Sequence, residues 1–226
     1  MRKIIRKVIN VADRWFGLRA LLRAETKTLW NLDGDRAIEW SWMISHLPKQ
    51  PTRVLDFGCV QSSLSAIAAR LGHSVCAVDL RDVEYEMEGV RFRKGDINKV
   101  DLGSERFDVI MNCSSVEHVG LDGRYGAQVA GEGDIEAMQR LRSLLAESGV
   151  MIMTIPVGID AVFRPFHRVY GETRIKRLLQ GFVIVKQEFW AKNAAHVWKQ
   201  CDRQTALATA GSNAYYALGL FLLRGS

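Results

Sequence analysis

The stretch Arg53-Val54-Leu55-Asp56-Phe57-Gly58-Cys59-Val60-Gln61-Ser62-Ser63-Leu64-Ser65 decides the fold. A short β-rich apolar run ends in an acid and passes through Gly58 and small residues. It then enters a helical pattern, Leu64-Ser-Ala-Ile-Ala-Ala-Arg-Leu71. That reads as strand, tight turn and helix. In an open α/β sheet the ligand lies outside the carboxyl ends of the strands, and such a turn is its usual cradle. Gly58 lets backbone approach a ligand closely, and the N–H groups at the start of the next helix suit an anionic group.

Working downstream, Gly72-His73 turns the chain into Ser74-Val-Cys-Ala-Val-Asp79, a second buried strand closed by a carboxylate. Asp79 follows Gly58 at the spacing where nucleotide-binding α/β folds carry their ribose-binding acid. Val90 to Ile97 reads as a third strand with Asp96 in the loop beyond, and Arg106 to Cys113 as a nearly continuous apolar fourth, as central parallel strands are. A long Gly-bearing loop, Ser114 to Gly133, follows; loops of that length inside a compact domain are usually functional. Asp134 to Leu145 is an amphipathic helix broken at Ser148-Gly149, and Val150 to Ile155 is a fifth strand. A loop through Phe163 to Tyr170 and a short helix ending near Leu179 precede two last strands, Phe182 to Trp190 and about Ala214 to Leu223, with a polar connection between them. Seven strands, the first five alternating with helices, make the class α/β with a mainly parallel sheet.

Working upstream, Pro48-Lys-Gln-Pro51 ends a helical segment, Leu29 to Leu47, that is rich in aromatics: Trp30, Trp40 and Trp42. A tryptophan here either lines the ligand cleft or belongs to the core. From the N-terminus to Lys27 the chain sets Arg2, Lys3, Arg6, Lys7, Arg14, Arg19, Arg23 and Lys27 against Asp13 and Glu25, so its formal +6 is concentrated there. Ile4, Ile5, Val8, Val11, Ala12, Trp15 and Phe16 share one helical face opposite much of that charge. This is a surface for a membrane or a membrane-bound partner through residues 1–20, or a face that packs on the domain beside it. The chain of 226 residues, 48% hydrophobic and 25% charged, is an ordinary globular composition. No apolar run reaches the roughly 18 residues that span a bilayer, and no secretory signal is expected at the charged N-terminus. Cys59, Cys76, Cys113 and Cys201 are scattered without a C-x-x-C pair, which fits free thiols in a cytoplasmic protein and implies no metal.

Val54-Leu-Asp-Phe-Gly-Cys, Asp79, Gly95-Asp96-Ile97, Phe107-Asp-Val-Ile and Glu117-His118 resemble, in order and spacing, the class I S-adenosylmethionine-dependent methyltransferases. The resemblance covers about residues 50–225. It implies a Rossmann-like seven-stranded, mainly parallel sheet with helices on both faces and an antiparallel C-terminal strand. Residues 1–50 then form a helical segment and 51–226 the cofactor-binding domain. The segment from Ser114 to Gly126, together with His167-Arg-Val-Tyr-Gly and Ser212-Asn-Ala, resembles a bacterial subgroup associated with polysaccharide or glycoconjugate synthesis. The turn departs from the family's Gly-x-Gly-x-Gly pattern: Val60 and Ser62 stand where the second and third glycines would, and a β-branched residue resists positive φ. The spacing of Gly58, Val60 and Ser63 does not make the nicotinamide-dinucleotide pattern G-x-G-x-x-G.

The resemblance implies S-adenosylmethionine as cofactor. Asp79, with Leu80 after it, would meet the ribose hydroxyls; Asp96 and the Ile97 N–H the adenine; Asp56 and the Asn112 carbonyl the ammonium; and the Gly58 and Cys59 backbone the methionine end. Methyl transfer from a sulfonium is an in-line displacement, so alignment is the enzyme's main contribution. A hydroxyl acceptor must also lose its proton. His118 is the first candidate base and His167 the second, and His118 is equally readable as a residue that only shapes the pocket. Asp122, Arg124 and Tyr125 would hold a polar acceptor, a small molecule or a glycan. Asn112-Cys-Ser-Ser differs from the Asn/Asp-Pro-Pro-aromatic pattern of enzymes that methylate amino groups on bases, which disfavours nucleic acid as partner. The other reading is a binding or scaffold protein that keeps the fold with Val60 in a degenerate turn.

Overall fold

The structure, a computed structural model, describes residues 34–60, 62–83, 88–121, 125 and 130–226. The basic N-terminal segment, Trp30, Asp122 and Arg124 lie outside the described residues. One sheet of eight strands runs in the order β3-β2-β1-β4-β5-β10-β8-β9. Its parallel part is β1 (Arg53–Phe57), β2 (Ser74–Asp79), β3 (Val90–Lys94), β4 (Phe107–Cys113) and β5 (Leu145–Val157). β10 (Ala217–Gly225) enters antiparallel between β5 and β8 (Phe182–Lys192), and β9 (Trp198–Cys201) pairs with the end of β8. A separate hairpin joins β6 (Ala161–Phe163) to β7 (His167–Val169).

The period of two along each strand sorts the core into two layers. Val54, Val75, Val109, Met111 and Ile152 face α1 (Asp35–Ser45) and α2 (Leu64–Arg70), packing on Trp42, Met43, Leu64 and Ala68. Leu55, Cys76, Ile110, Met151 and Met153 face the opposite layer, formed by α3 (Gly133–Leu144), α4 (Glu172–Leu178) and α5 (Arg203–Leu207). Among the described residues no helix is long and apolar enough to cross a membrane.

Several elements differ from the sequence expectation. The sheet gains an eighth strand, because the polar connection after β8 holds β9 and α5; Trp-Lys-Gln-Cys is too short and too polar to read as a strand, and it sits on the sheet edge where such residues are tolerated. The loop before α4 contains the β6–β7 hairpin, whose short strands carry no readable period. Between β2 and β3, and between β3 and β4, no helix occurs among the described residues; after β3 the chain instead folds back through Lys99 and Val100 N–H bonds to the Asp96 carbonyl. β5 begins at Leu145, directly after α3, and slips register between its Leu145 and Val150 pairings with β4. Gly149 makes the slip possible, since a Cβ there would stand 2.8 Å from the Phe107 carbonyl oxygen.

A buried polar knot joins the lower layer to the loop after β4. Asp134 has no exposure. Its Oδ2 accepts from the Tyr170 hydroxyl at 3.0 Å and from Arg174 Nε at 3.0 Å, and its Oδ1 accepts from Arg174 Nη2 at 2.6 Å. Arg168, also buried, lies 3.6 Å from Asp134 Oδ1 and donates to the carbonyls of Val119 at 2.6 Å and Glu117 at 3.3 Å. Removing one partner of such a set leaves buried charge uncompensated, at a cost of about 3 to 5 kcal/mol. Asp134→Ala is therefore expected to lower the unfolding free energy by that order in chemical denaturation, whereas Lys176→Gln, which breaks an exposed pair with Glu172, changes it by less than about 1 kcal/mol. Equal effects of the two would remove the knot from the account of the fold.

Candidate active site

A cavity of about 230 Å³ opens at the carboxyl ends of β1, β2, β3 and β4. The β1 turn contributes Phe57, Gly58, Val60 and Ser62; β2 gives Asp79, Leu80 and Arg81; the turn after β3 gives Asp96, Ile97, Asn98 and Lys99. The far wall is Cys113, Ser114, Ser115, His118, Val119, Gly120 and Tyr125, and α1 closes the cavity with Arg36 and Trp40. The aromatic segment before β1 thus serves both expectations, with Trp40 on the cavity and Trp42 in the core.

The turn holds its shape through backbone contacts. Gly58 has φ +77°, and its N–H donates to the Val78 carbonyl at 2.8 Å. A Cβ on Gly58 would collide with Ser115 Oγ, so only glycine lets the β1 and β4 turns come together. Val60 is spared the strain expected of it. Among the described residues the non-glycine positions with positive φ are Ser114 and His196, and the Val60 N–H donates to Asp79 Oδ2 at 2.9 Å. Arg81 N–H donates to Asp79 Oδ1, also at 2.9 Å. Each carboxylate oxygen keeps further acceptor capacity beside the cavity.

The side chains of three predicted cofactor residues stand behind this wall, although for Cys59 and Asn112 the expected contact is through the backbone. Asp56 is buried and accepts from the Ser65 hydroxyl at 2.5 Å. Cys59 is buried, and the Asn112 side chain accepts from the Val116 N–H at 3.1 Å. Asp56 and Asn112 are second in line because each belongs to the strand itself, ahead of the turn that faces the ligand. Burial pushes the Cys59 and Cys113 thiols up, which keeps both protonated near neutral pH; all four cysteines are free.

Of the two histidines, only His118 lines the cavity. Its Nδ1 lies 2.6 Å from the Phe166 carbonyl oxygen, which can only accept, so Nδ1 carries the proton and Nε2 the lone pair of the neutral ring. Glu117 Oε1 is 3.7 Å from Nε2, placed to steady an imidazolium. His167 is buried away from the cavity, with Nε2 3.2 Å from the Ser212 carbonyl oxygen and its ring against Tyr216. β7 is buried along its whole length, so His167 does not stand where a base is needed. Tyr125 lies on the cavity with Arg81 stacked over its ring at 4.7 Å.

Sequence reasoning missed Glu39, a charged side chain that has no exposure. Its Oε2 accepts from Arg36 Nη1 at 2.7 Å, and its Oε1 accepts from Thr154 Oγ1 at 2.8 Å and, in a short bond, from the Ser114 hydroxyl. Ser114, at φ +45°, is fixed further by its N–H, which reaches the Thr154 carbonyl at 3.1 Å. The available signal was position: Glu39 falls three and four places before Trp42 and Met43, on the apolar face.

This fold is that of class I S-adenosylmethionine-dependent methyltransferases. A family model described as "Caenorhabditis protein of unknown function, DUF268" matches residues 75–211, and the chain belongs to that family. It is 37% identical over 82 residues to a ubiquinone biosynthesis O-methyltransferase of Cereibacter sphaeroides, a match covering 32% of this chain and 33% of the relative, so it spans about a third of that curated protein. Among solved structures it is similar to the Burkholderia thailandensis 1,6-didemethyltoxoflavin-N1-methyltransferase with bound S-adenosylhomocysteine, at 18% identity, TM-score 0.55, and 93% and 90% coverage of the two chains. It is likewise similar to the N-methyltransferase NodS of Bradyrhizobium japonicum with S-adenosylhomocysteine, at 15% identity, TM-score 0.58, and 87% and 91% coverage. The expected polysaccharide or glycoconjugate subgroup gains no support from these relatives.

Asp56 gives the site a pH signature. Its carboxyl is pushed up from 3.8 to about 6, chiefly by burial, with the Ser65 hydroxyl opposing and the Asp79 charge adding. Between those two values the folded state holds a proton that the unfolded chain has released. The Asp56 contribution to stability is therefore fully present below pH about 3.8 and falls by on the order of 3 kcal/mol as pH rises through about 6. The difference in unfolding free energy between the native protein and Asp56→Asn, measured from pH about 4 to about 7, should trace that fall; a difference independent of pH would contradict it.

Proposed function

We propose that the protein is an S-adenosylmethionine-dependent O-methyltransferase acting on a small hydroxyl-bearing acceptor. One observation carries the hydroxyl: His118 sits on the wall of the cavity with Nδ1–H committed to the Phe166 carbonyl, which leaves Nε2 as a base. The residues along the cavity also fit the cofactor. Asn98 Oδ1 is buried without a hydrogen-bond partner among the described residues, an acceptor suited to an adenine amino group beside Asp96. Asp79 keeps acceptor sites for ribose hydroxyls. The bound cofactor would supply an electrophilic methyl group on a sulfonium. The chain's own part is to orient the acceptor hydroxyl, exclude water between α1 and the β4 turn, and take the hydroxyl proton at His118 Nε2, with Glu117 close enough to stabilise the resulting cation.

The O-methyltransferase relative supports the same reading within its 82 aligned residues. The scaffold alternative loses its main motive, since Val60 adopts no left-handed conformation and its N–H binds Asp79. A sugar or glycan is one member of that acceptor class, and the basic, amphipathic residues 1–20 would bring the protein to a membrane surface where such an acceptor is met.

Calorimetric titration with S-adenosylhomocysteine tests the cofactor half: the native protein is expected to bind and Asp79→Ala to bind at least about tenfold more weakly. A folded native protein that binds none would overturn the reading. Release of S-adenosylhomocysteine with a panel of phenols and sugars tests the rest, with His118→Ala expected to lower kcat by about 100-fold or more at unchanged cofactor affinity. Full activity in that variant would return His118 to a shaping role.

A further inference from the structure

Arg168 is buried as completely as the apolar core, at 1% exposure. Alternation along β7 sends His167 against Tyr216 and Arg168 to the opposite side, where Asp134 lies. Asp134 takes its hydrogen bonds from Arg174 and the Tyr170 hydroxyl, and Arg168 Nε stands 3.6 Å away as a neighbouring charge. The hydrogen bonds of Arg168 go to backbone. Nη1 donates to the carbonyls of Val119 at 2.6 Å and Glu117 at 3.3 Å, and Nη2 donates to that of Gly131 at 3.4 Å. A buried guanidinium whose donors end on carbonyls holds chain in place, since its N–H groups share one rigid plane and fix several acceptors at once, as an ammonium cannot.

The three carbonyls belong to one loop. Residues 117 and 119 flank His118, and Gly131 lies on the returning stem. The stems are already close: the Ala130 N–H donates to the Gly120 carbonyl at 3.1 Å, and a Cβ on Gly120 would stand 2.3 Å from the Ala130 carbonyl oxygen. Arg168 ties both stems from beneath. Two residues earlier in the same hairpin, the Phe166 carbonyl takes the His118 Nδ1–H. One short segment, residues 166–168, therefore sets the hydrogen bond of the imidazole and also the peptide groups on either side of its Cα. We propose that Arg168 is a positioning residue for His118. By holding the Glu117 and Val119 carbonyls it keeps Nδ1 on the Phe166 carbonyl, and so keeps the neutral ring in the one tautomer whose lone pair is on Nε2. The purpose of the clamp rests on the reading of His118 as the base of a methyltransferase.

The His118 ring itself gives the test, observed by nitrogen NMR in the full chain at a pH where the imidazole is neutral. In the native protein its two nitrogens should give well-separated signals, Nδ1 of the protonated kind and Nε2 of the lone-pair kind. Arg168→Lys keeps a charge beside Asp134 and loses the fork, so the two ring signals should draw together as the tautomers interconvert. Arg174→Lys disturbs the same carboxylate without reaching residues 117 or 119. It should cost stability and leave the His118 signals as they are in the native protein. Unmoved ring signals in Arg168→Lys, or equal movement in the two variants, overturn the assignment. If Arg168→Lys does not fold, the native protein decides: Arg168 Nη protons held on three carbonyls should appear as separate, slowly exchanging signals, and one averaged signal overturns the clamp. Both variants should bind S-adenosylhomocysteine within about twofold of the native protein. A native protein that binds none removes the methyltransferase reading, whatever the ring signals show, so the two failures are read in different experiments.

Discussion

The interaction on which the rest depends is the burial of Asp134 among Tyr170, Arg174 and Arg168. A carboxylate without exposure is stable in a protein interior only when its oxygens are fully occupied. Meeting that demand forces α3, α4 and β7 into one arrangement. Arg168 carries the constraint further: its other donors reach the carbonyls of Glu117 and Val119, on either side of His118. The loop that faces the cavity is thus anchored from beneath by backbone contacts, which leaves its side chains for chemistry. From above, the Phe166 carbonyl in the turn of the small hairpin fixes the imidazole itself.

Much of this architecture was legible in the chain. The apolar strands β1, β2, β4 and β5 and the turn at Gly58 follow from local pattern, because each strand is buried on both faces and each side chain reports the same environment. Asp79, Asp96 and His118 were legible for a related reason: they fall just after such strands or at their ends, where an α/β sheet places its ligand. Elements whose stability comes from partners were not. β9 and the β6–β7 hairpin are short and gain their hydrogen bonds from neighbouring strands that local pattern does not announce. Glu39 reads locally as a solvated helix position, and only its contacts with Ser114 and Thr154, both distant in the chain, reveal a buried charge. His167 failed for the converse reason. Its residue type suggested chemistry, and its position on β7 buries it against Tyr216.

The cavity divides its tasks between parts of the fold that are built differently. The end beneath β3, β2 and β1 is formed by turns locked to one another through backbone bonds, such as Val60 to Asp79. The end beyond β4 is formed by a helix, a loop and a hairpin lying outside the main sheet. An invariant ligand suits the first and a variable one the second, since loops on a rigid scaffold tolerate replacement.

The contact between the β1 and β4 turns has a consequence for substitution. Position 58 excludes any Cβ because Ser115, and not a ligand, already fills that space, with Ser115 Cβ itself 2.5 Å from where a new methyl would stand. Trimming Ser115 to alanine would therefore leave part of the conflict in place. The two positions, far apart in the chain, are therefore coupled: a side chain at 58 finds space only where residue 115 has lost its own, and the positive φ at 58 opposes it even then.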